Sequence, residues 1–183
     1  MDHYLDFRIL PDPEFNPGFL MSALFSKLHK ALSETGQGEI GISFPQAAKT
    51  PGHLLRLHAK ADALNRLMAV GWLKGMRDHI ETTEIAPVPA DAGYICVSRY
   101  QPANAPHRLR SRSVRKGWLS EQEAERRIPD KPPEEPGLPY LMLKSNTNGH
   151  PYRLYIRQSE SPVPVTGLFN NYGLSNSATV PFF

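Results

Sequence analysis

Few residue types in this chain can do chemistry. There is one cysteine and there are seven histidines among 183 residues. Cys96, being alone, excludes an internal disulfide and a cysteine-rich zinc site. The histidines form no convincing ligand pair: His53 and His58 are five apart in a strand-like pattern, which sets them on opposite faces. Neither a metal nor a cofactor is therefore expected, which leaves acid–base chemistry by imidazole, the side chain that titrates near neutral pH unaided. His29 lies at the edge of the apolar face of a helical pattern and reads on its own as a boundary histidine. His150 is expected beside Ser145 on one face of a β-hairpin, and geometry alone favours it. Ser145 read alone is a turn residue and Tyr152 a core residue.

The second resource is positive charge, and it is concentrated. Between Asp91 and Glu121 stand Arg99, Arg108, Arg110, Arg112, Arg115 and Lys116 with no carboxylate, although the whole chain has 21 basic and 18 acidic residues. Pro106 suits a first helical turn and Gly117 a helix end, so the spacing predicts a helix over about 106–117. Arg108, Ser111, Arg112 and Arg115 fall on one face, with Lys116 at its flank and Leu109, Ser113 and Val114 toward the other side. Such a stripe suits a row of phosphates, or else is a solvated face. The excess of arginine and the lack of acidic partners at i+4 within the helix favour nucleic acid. Just before it, YICVSRYQ alternates as a strand. That spacing projects Arg99 and Gln101 from one face; both are planar multi-donor side chains able to contact base edges, although such a pair at a strand end is more commonly plain surface. Ser120 and Glu123 form a capping-box signal for a second helix.

The elements that must position these residues follow from periodicity. HYLDFRIL alternates as a half-buried strand, and Asn16 caps a helix with Pro17 at its first position, running toward Gly36. EIGISFP and HLLRLHA read as strands, the latter with Leu55, Leu57 and Ala59 on one face. ADALNRLMAV reads as a helix closed by Gly71, and a fourth strand is expected around MRDHIETTEI. Strand, helix, strand, strand, helix, strand is the split βαβ of a ferredoxin-like domain, the plan of RNA-recognition modules, here without their adjacent aromatics. An α+β chain is expected, with a ferredoxin-like domain over 1–92 and a C-terminal domain over 93–183. The latter holds the arginine-rich helix, a proline-rich linker and a hairpin over about 139–157. With Asn148-Gly149 as a two-residue turn, Thr147 faces His150 and Ser145 faces Tyr152. The tail TGLFNNYGLSNSATVPFF is rich in turn formers, its two final aromatics packed on the sheet.

Charged residues at 21% and hydrophobic ones at 40% describe an ordinary soluble protein, and 18 prolines imply many loops. The apolar runs are too short to span a bilayer and the first residues do not read as a signal peptide, so a cytoplasmic location without a membrane partner is expected.

DHYLDFR, LFSKLHKAL, GISFP, SRYQ before the basic helix, ERRIPD, the serine-containing hairpin and NYGLS near a VPFF ending resemble, in order and over essentially the whole chain, the CRISPR repeat-processing endoribonucleases of type I-F systems. The resemblance implies a metal-independent nuclease that binds the stem-loop of each CRISPR repeat and cuts pre-crRNA at the 3′ base of the stem. It leaves a 2′,3′-cyclic phosphate, holds the product, and joins the other subunits of the crRNA-guided surveillance complex, being a monomer when free. It implies His29 as the histidine of the cut, Ser145 as the group holding the attacking 2′-OH, and Tyr172 as the support of His29. Tyr152 matches the aromatic that stacks on the terminal base pair, Arg99 and Gln101 the readers of guanine near the foot of the stem. Residues 107 to 116, with Arg108, Arg110, Arg112, Arg115 and Lys116, match the groove-binding helix, and a secondary hydroxyl contact falls to Thr147. A stem-loop RNA-binding subunit without cleavage is the alternative; His29 and Ser145 together favour the enzyme.

Overall fold

A computed structural model describes the chain apart from residues 36, 102–105, 130–135 and 146–148, and apart from the side chains of His107 and Arg108. Residues 1–100 and 138–183 form one compact unit and residues 101–137 a second. The boundary expected near residue 92 falls inside the first unit, where it separates two antiparallel sheets.

The first sheet follows the expected order: β1 (His3–Ile9), α1 (Pro17–Thr35), β2 (Gly41–Ser43), β3 (Leu54–Ala59), α2 (Ala61–Ala69) and β4 (Ile80–Thr82), the last entered through a 3-10 turn at Arg77–His79. Its strands lie in the order β2-β3-β1-β4, and a two-residue β5 (Ala86–Pro87) also pairs with β1. This is the ferredoxin-like arrangement. Leu5 pairs with Leu57 and Phe7 with Leu55, and these side chains with Ile42 build the buried face. The core also takes Leu20, Leu24, Phe25, Leu28 and Leu32 of α1, and Leu64 and Leu67 of α2. The Asn16 carboxamide oxygen accepts from the Phe19 N–H at 2.9 Å and starts α1 at the expected cap.

The second sheet has the order β7-β8-β6-β9, from β6 (Gly93–Tyr100), β7 (Tyr140–Lys144), β8 (Pro151–Ser161) and β9 (Thr179–Phe182). β9 falls in the tail whose composition reads as turns. It pairs along β6, opposing Pro181 to Tyr94, and its edge position tolerates the proline. Gln158 of β8 ties the sheets together by accepting from the Phe44 N–H at 2.7 Å and donating to the Phe44 carbonyl at 3.0 Å.

The register of the β7–β8 hairpin differs from the one expected. Leu143 pairs with Tyr152 and Lys144 with Pro151, and the Ser145 N–H donates to the His150 carbonyl at 3.0 Å. Ser145 therefore faces His150 rather than Tyr152. A shift of two residues keeps every side chain on its face, so alternation could not choose between the registers. The pairs formed oppose Leu141 to Leu154 in the core and Tyr140 to Tyr155, whose rings are 5.5 Å apart. Gly149 takes a positive φ of 69°; Thr147 and Asn148 lie outside the described residues.

The second unit pairs α3 (Pro106–Arg115) with α4 (Glu121–Arg127). Ser120 and Glu123 make the full capping box, with Glu123 drawn below the usual carboxylate range by its bonds to the Ser120 backbone and hydroxyl. Among the described residues no helix is long and apolar enough to cross a membrane.

Candidate active site and nucleic-acid interface

His29 sits one helical turn after Phe25 on α1, and both rings are covered by Tyr172. The Tyr172 ring lies 4.0 Å from the His29 ring at an interplanar angle of 6°, and 6.2 Å from Phe25 at 7°. The His29 Nδ1 is 2.8 Å from the carbonyl oxygen of Asn171. A carbonyl can only accept, so Nδ1 carries the proton and, in the neutral ring, Nε2 holds the free lone pair. The histidine is thus fixed in tautomer by a backbone bond and in plane by a ring, with its basic nitrogen unspent.

A tight turn makes that arrangement possible. The Gly173 N–H donates to the Asn170 carbonyl at 2.8 Å, and the Asn170 side chain accepts from the N–H groups of Tyr172 at 2.8 Å and Leu174 at 3.2 Å. Gly173 has φ +71°, and a Cβ there would come within 2.6 Å of Ile42 Cγ2. Its carbonyl in turn accepts from the Ile42 N–H at 3.1 Å, which fastens the turn to β2. Asn170 and Gly173, which build the turn beneath Tyr172, were not singled out from the sequence. The signal was present: asparagine followed three residues later by glycine is a turn signature.

Ser145 reaches the same place from the other sheet. The Ser22 hydroxyl of α1 accepts from the Met142 N–H at 3.1 Å, which pins β7 along the helix, and Ser145 follows three residues on. His29, Ser145, Tyr152 and Tyr172 all line one cleft of about 550 Å³. Tyr152 and Tyr172 bring their hydroxyls to 3.0 Å of each other. Burial, with that bond and the neighbouring phenol, pushes the Tyr152 hydroxyl up to about 12, so it stays neutral. The cleft also takes Lys30, Arg99 and Lys144, and no carboxylate is among its described lining residues. The Arg99 guanidinium carbon is 5.8 Å from the centre of the Tyr152 ring. Lys30 and Lys144 could not be singled out in the sequence, since one lysine beside a histidine and one at a strand end carry no spacing signal. His150 does not appear among the described residues lining this cleft.

In the second unit, Arg112, Arg115 and Lys116 are exposed along or just beyond α3. Arg110 is partly buried and its Nε donates to the Ile128 carbonyl at 2.7 Å, which braces α3 against the end of α4. β6 ends at Tyr100, so Gln101 lies one residue past the strand and strand spacing does not by itself set its side with Arg99. The side chain of Arg108 lies outside the described residues. Among the described residues no group of three or more His, Cys, Asp or Glu could hold a metal ion.

One cleft thus brings together an imidazole with a free lone pair, a serine hydroxyl and three cations, groups able to take a proton from a hydroxyl and to bear on an anion. The family model described as CRISPR-associated protein (Cas_Csy4) matches residues 4–183. The chain belongs to that family. It is 46% identical over 184 residues to the CRISPR-associated endonuclease Cas6/Csy4 of Escherichia coli (strain UTI89 / UPEC), and 48% identical over 189 residues to the protein of the same name from Pseudomonas aeruginosa (strain UCBPP-PA14). Each match covers all of both chains. The resemblance read from DHYLDFR, SRYQ and NYGLS is thereby borne out, and with it an enzyme of the CRISPR-associated endonucleases.

Proposed function

We propose that this protein matures CRISPR RNA by cutting the repeat transcript at the 3′ base of its stem-loop, without a metal ion, and then keeps hold of the product. His29 Nε2 takes the proton of the 2′-OH at the cleavage site, the Ser145 hydroxyl holds that 2′-oxygen in line with phosphorus, and the new 2′-oxygen to phosphorus bond displaces the 5′-oxygen of the next nucleotide. Water supplies the proton for the departing 5′-oxygen. The products are a 2′,3′-cyclic phosphate and a 5′-OH. Lys30, Arg99 and Lys144 bear on the phosphate as negative charge develops. Tyr172 positions His29 and does not touch the reacting atoms, Tyr152 offers a ring to the last base pair of the stem, and Arg99 and Gln101 address base edges near its foot. The exposed cations of α3 hold the stem; A-form RNA has a deep, narrow major groove, which a helix enters only near an end or a distortion, and a short hairpin has such an end. Retention of the product makes the protein a subunit of the crRNA-guided surveillance complex.

The observation that carries this reading is the state of His29, held by the Asn171 carbonyl and the Tyr172 ring with Nε2 free, in a cleft whose described lining brings Ser145 and cations but no carboxylate. The test mixes the protein with a labelled stem-loop from its own host's CRISPR repeat in EDTA and identifies the product ends. One cut below the stem, with a cyclic phosphate, abolished by a single 2′-deoxynucleotide at that position and by His29→Ala, is the expected result. Tight binding without a cut would establish an RNA-holding subunit instead, and a cut that needs a divalent cation would overturn the proposed chemistry.

A further inference from the structure

Of residues 117–120, which lead from α3 into α4, three have an evident local task. Gly117, at φ +69°, closes α3: its N–H donates to the Val114 carbonyl at 2.9 Å, while the Trp118 N–H donates to the Ser113 carbonyl at 3.0 Å. These two bonds are a Schellman cap. Ser120 caps α4, and Leu119 precedes it at the staple position opposite the buried Ala124. Trp118 is left over. In a Schellman cap the residue after the glycine commonly packs its side chain against the one five positions back, and here that residue is Ser113, which offers no apolar surface. The indole is accordingly 62% exposed, and its ring meets the Lys116 ammonium, 5.2 Å from the ring centre.

A large exposed ring on a backbone fixed by two hydrogen bonds and flanked by Arg115 and Lys116 is a combination that suits single-stranded nucleic acid: cations track the phosphates and an aromatic face takes a base. We propose that Trp118 is a base-stacking site for an unpaired nucleotide of the RNA stem-loop, either in its loop or in the strand flanking the stem. This rests on the reading of α3 as an RNA-binding element. The indole needs an unstacked base, because a paired base inside the stem exposes no face. The Lys116 ammonium adds a charge-assisted contact to the adjacent phosphate and occupies one side of the ring, so the base lies on the other.

The tryptophan reports on itself. The chain has two, and Trp72 is half-buried edge-on against Phe7 with ring centres 5.3 Å apart, so Trp72→Phe leaves Trp118 as the sole tryptophan, which red-edge excitation separates from the tyrosines. Titrating that protein with the host's repeat stem-loop should quench the emission in step with binding measured by gel shift. Abasic nucleotides in the loop, or in the flank, should remove the quenching, and which of them does so identifies the base. Trp118→Leu should weaken binding about 5- to 100-fold, the range for losing one stacked base. Trp118→Tyr should keep most of it, and the dependence on salt should be unchanged in both because no charge is removed. Binding without quenching, quenching indifferent to every abasic position, or undiminished affinity in Trp118→Leu would overturn the stacking site and leave the nuclease reading standing. Failure of the unaltered protein to bind the stem-loop would overturn the RNA-binding reading, and the stacking site with it.

Discussion

His58 makes this fold sensitive to mild acid, well above the pH at which carboxylates matter. Its ring is fully buried beside β2, with Nε2 2.8 Å from the Ser43 hydroxyl and Nδ1 without a partner. Burial first, then the charge of Arg56, pushes its pKa from the ordinary 6.5 down to about 3, so the folded protein holds the ring neutral. The unfolded chain protonates it below about 6.5, and between there and about pH 3 the unfolded state binds one proton more than the folded state. Stability therefore falls as pH drops, by about 1.4 kcal/mol per pH unit, or about 2.5 kcal/mol between pH 7 and pH 4.5. For a chain of this size that is a fall of about 5–10 °C in Tm. Asp2, Asp12 and Glu123, whose pKa values are lowered chiefly by hydrogen bonds, act in the same direction but only below the usual carboxylate range.

The control removes both partners. Replacing Ser43 with Ala and His58 with Phe leaves no orphaned hydroxyl and no titrating ring, and a matched apolar replacement of a bonded pair can be nearly neutral. Thermal melts of the two proteins from pH 7 to pH 4.5 should diverge, the double variant losing about 2.5 kcal/mol less. The functional consequence follows from β2: Ser43 is next to Ile42, whose N–H holds the Gly173 carbonyl of the turn that carries Tyr172. Parallel melting curves across that range would refute the argument, since they would mean that His58 titrates alike in both states.

Gly173→Ala should lower stability by about 2–4 kcal/mol, from the left-handed backbone and the crowding of buried Ile42; Gly173→Asn, which tolerates the backbone but keeps the Cβ, should relieve only part of that in the same melts. Tyr172→Phe keeps the ring on His29 and loses only the bond to the Tyr152 hydroxyl, so single-turnover cleavage should stay within a few-fold of the parent, whereas Tyr172→Ala should slow the step about tenfold or more while stem-loop affinity changes less. Changing Arg112 or Arg115 to Ala should weaken stem-loop binding and reduce the slope of log affinity against log salt by about 1 each; an unchanged slope would show that these side chains do not meet phosphate.

The periodicity of β1, α1, β3 and α2 is enough to predict the first sheet because each element buries one face, and a buried face leaves a regular pattern. β9 escapes such a reading because an edge strand of four residues containing Pro181 carries almost no pattern. The hairpin register escapes it because a slip of two is invisible to alternation. Charge placement shows the basic helix but not that Arg110 braces α4, a contact with a backbone carbonyl that no spacing encodes. The candidate site divides along the same line. His29 and Ser145 are 116 positions apart, and nothing local to either says that they share a cleft. What joins them is the core shared by α1 with Leu141 and Leu143 of β7, the Ser22 hydroxyl on the Met142 N–H, and a turn whose Asn170 and Gly173 stand out in the sequence only as loop formers.

The ferredoxin-like plan suggests RNA on the sheet, and the side chains there argue otherwise. On the face away from the helices, Asp6 takes two bonds from Arg56, at 2.7 and 2.9 Å, and both residues are buried. The Arg56 guanidinium carbon is 4.6 Å from the centre of the Tyr4 ring and 3.9 Å from that of Phe183, and Arg56 donates to the Phe183 backbone oxygen at 3.1 Å. A base stacking on this face would have to expel Phe183 and uncover the ion pair. The face is closed by its own chemistry: its two aromatic rings, Tyr4 and Phe183, 4.9 Å apart, pack on each other and on Arg56. The proposed RNA site lies instead at the flank of α1 where it meets β7, where His29, Lys30, Lys144 and Ser145 line the cleft.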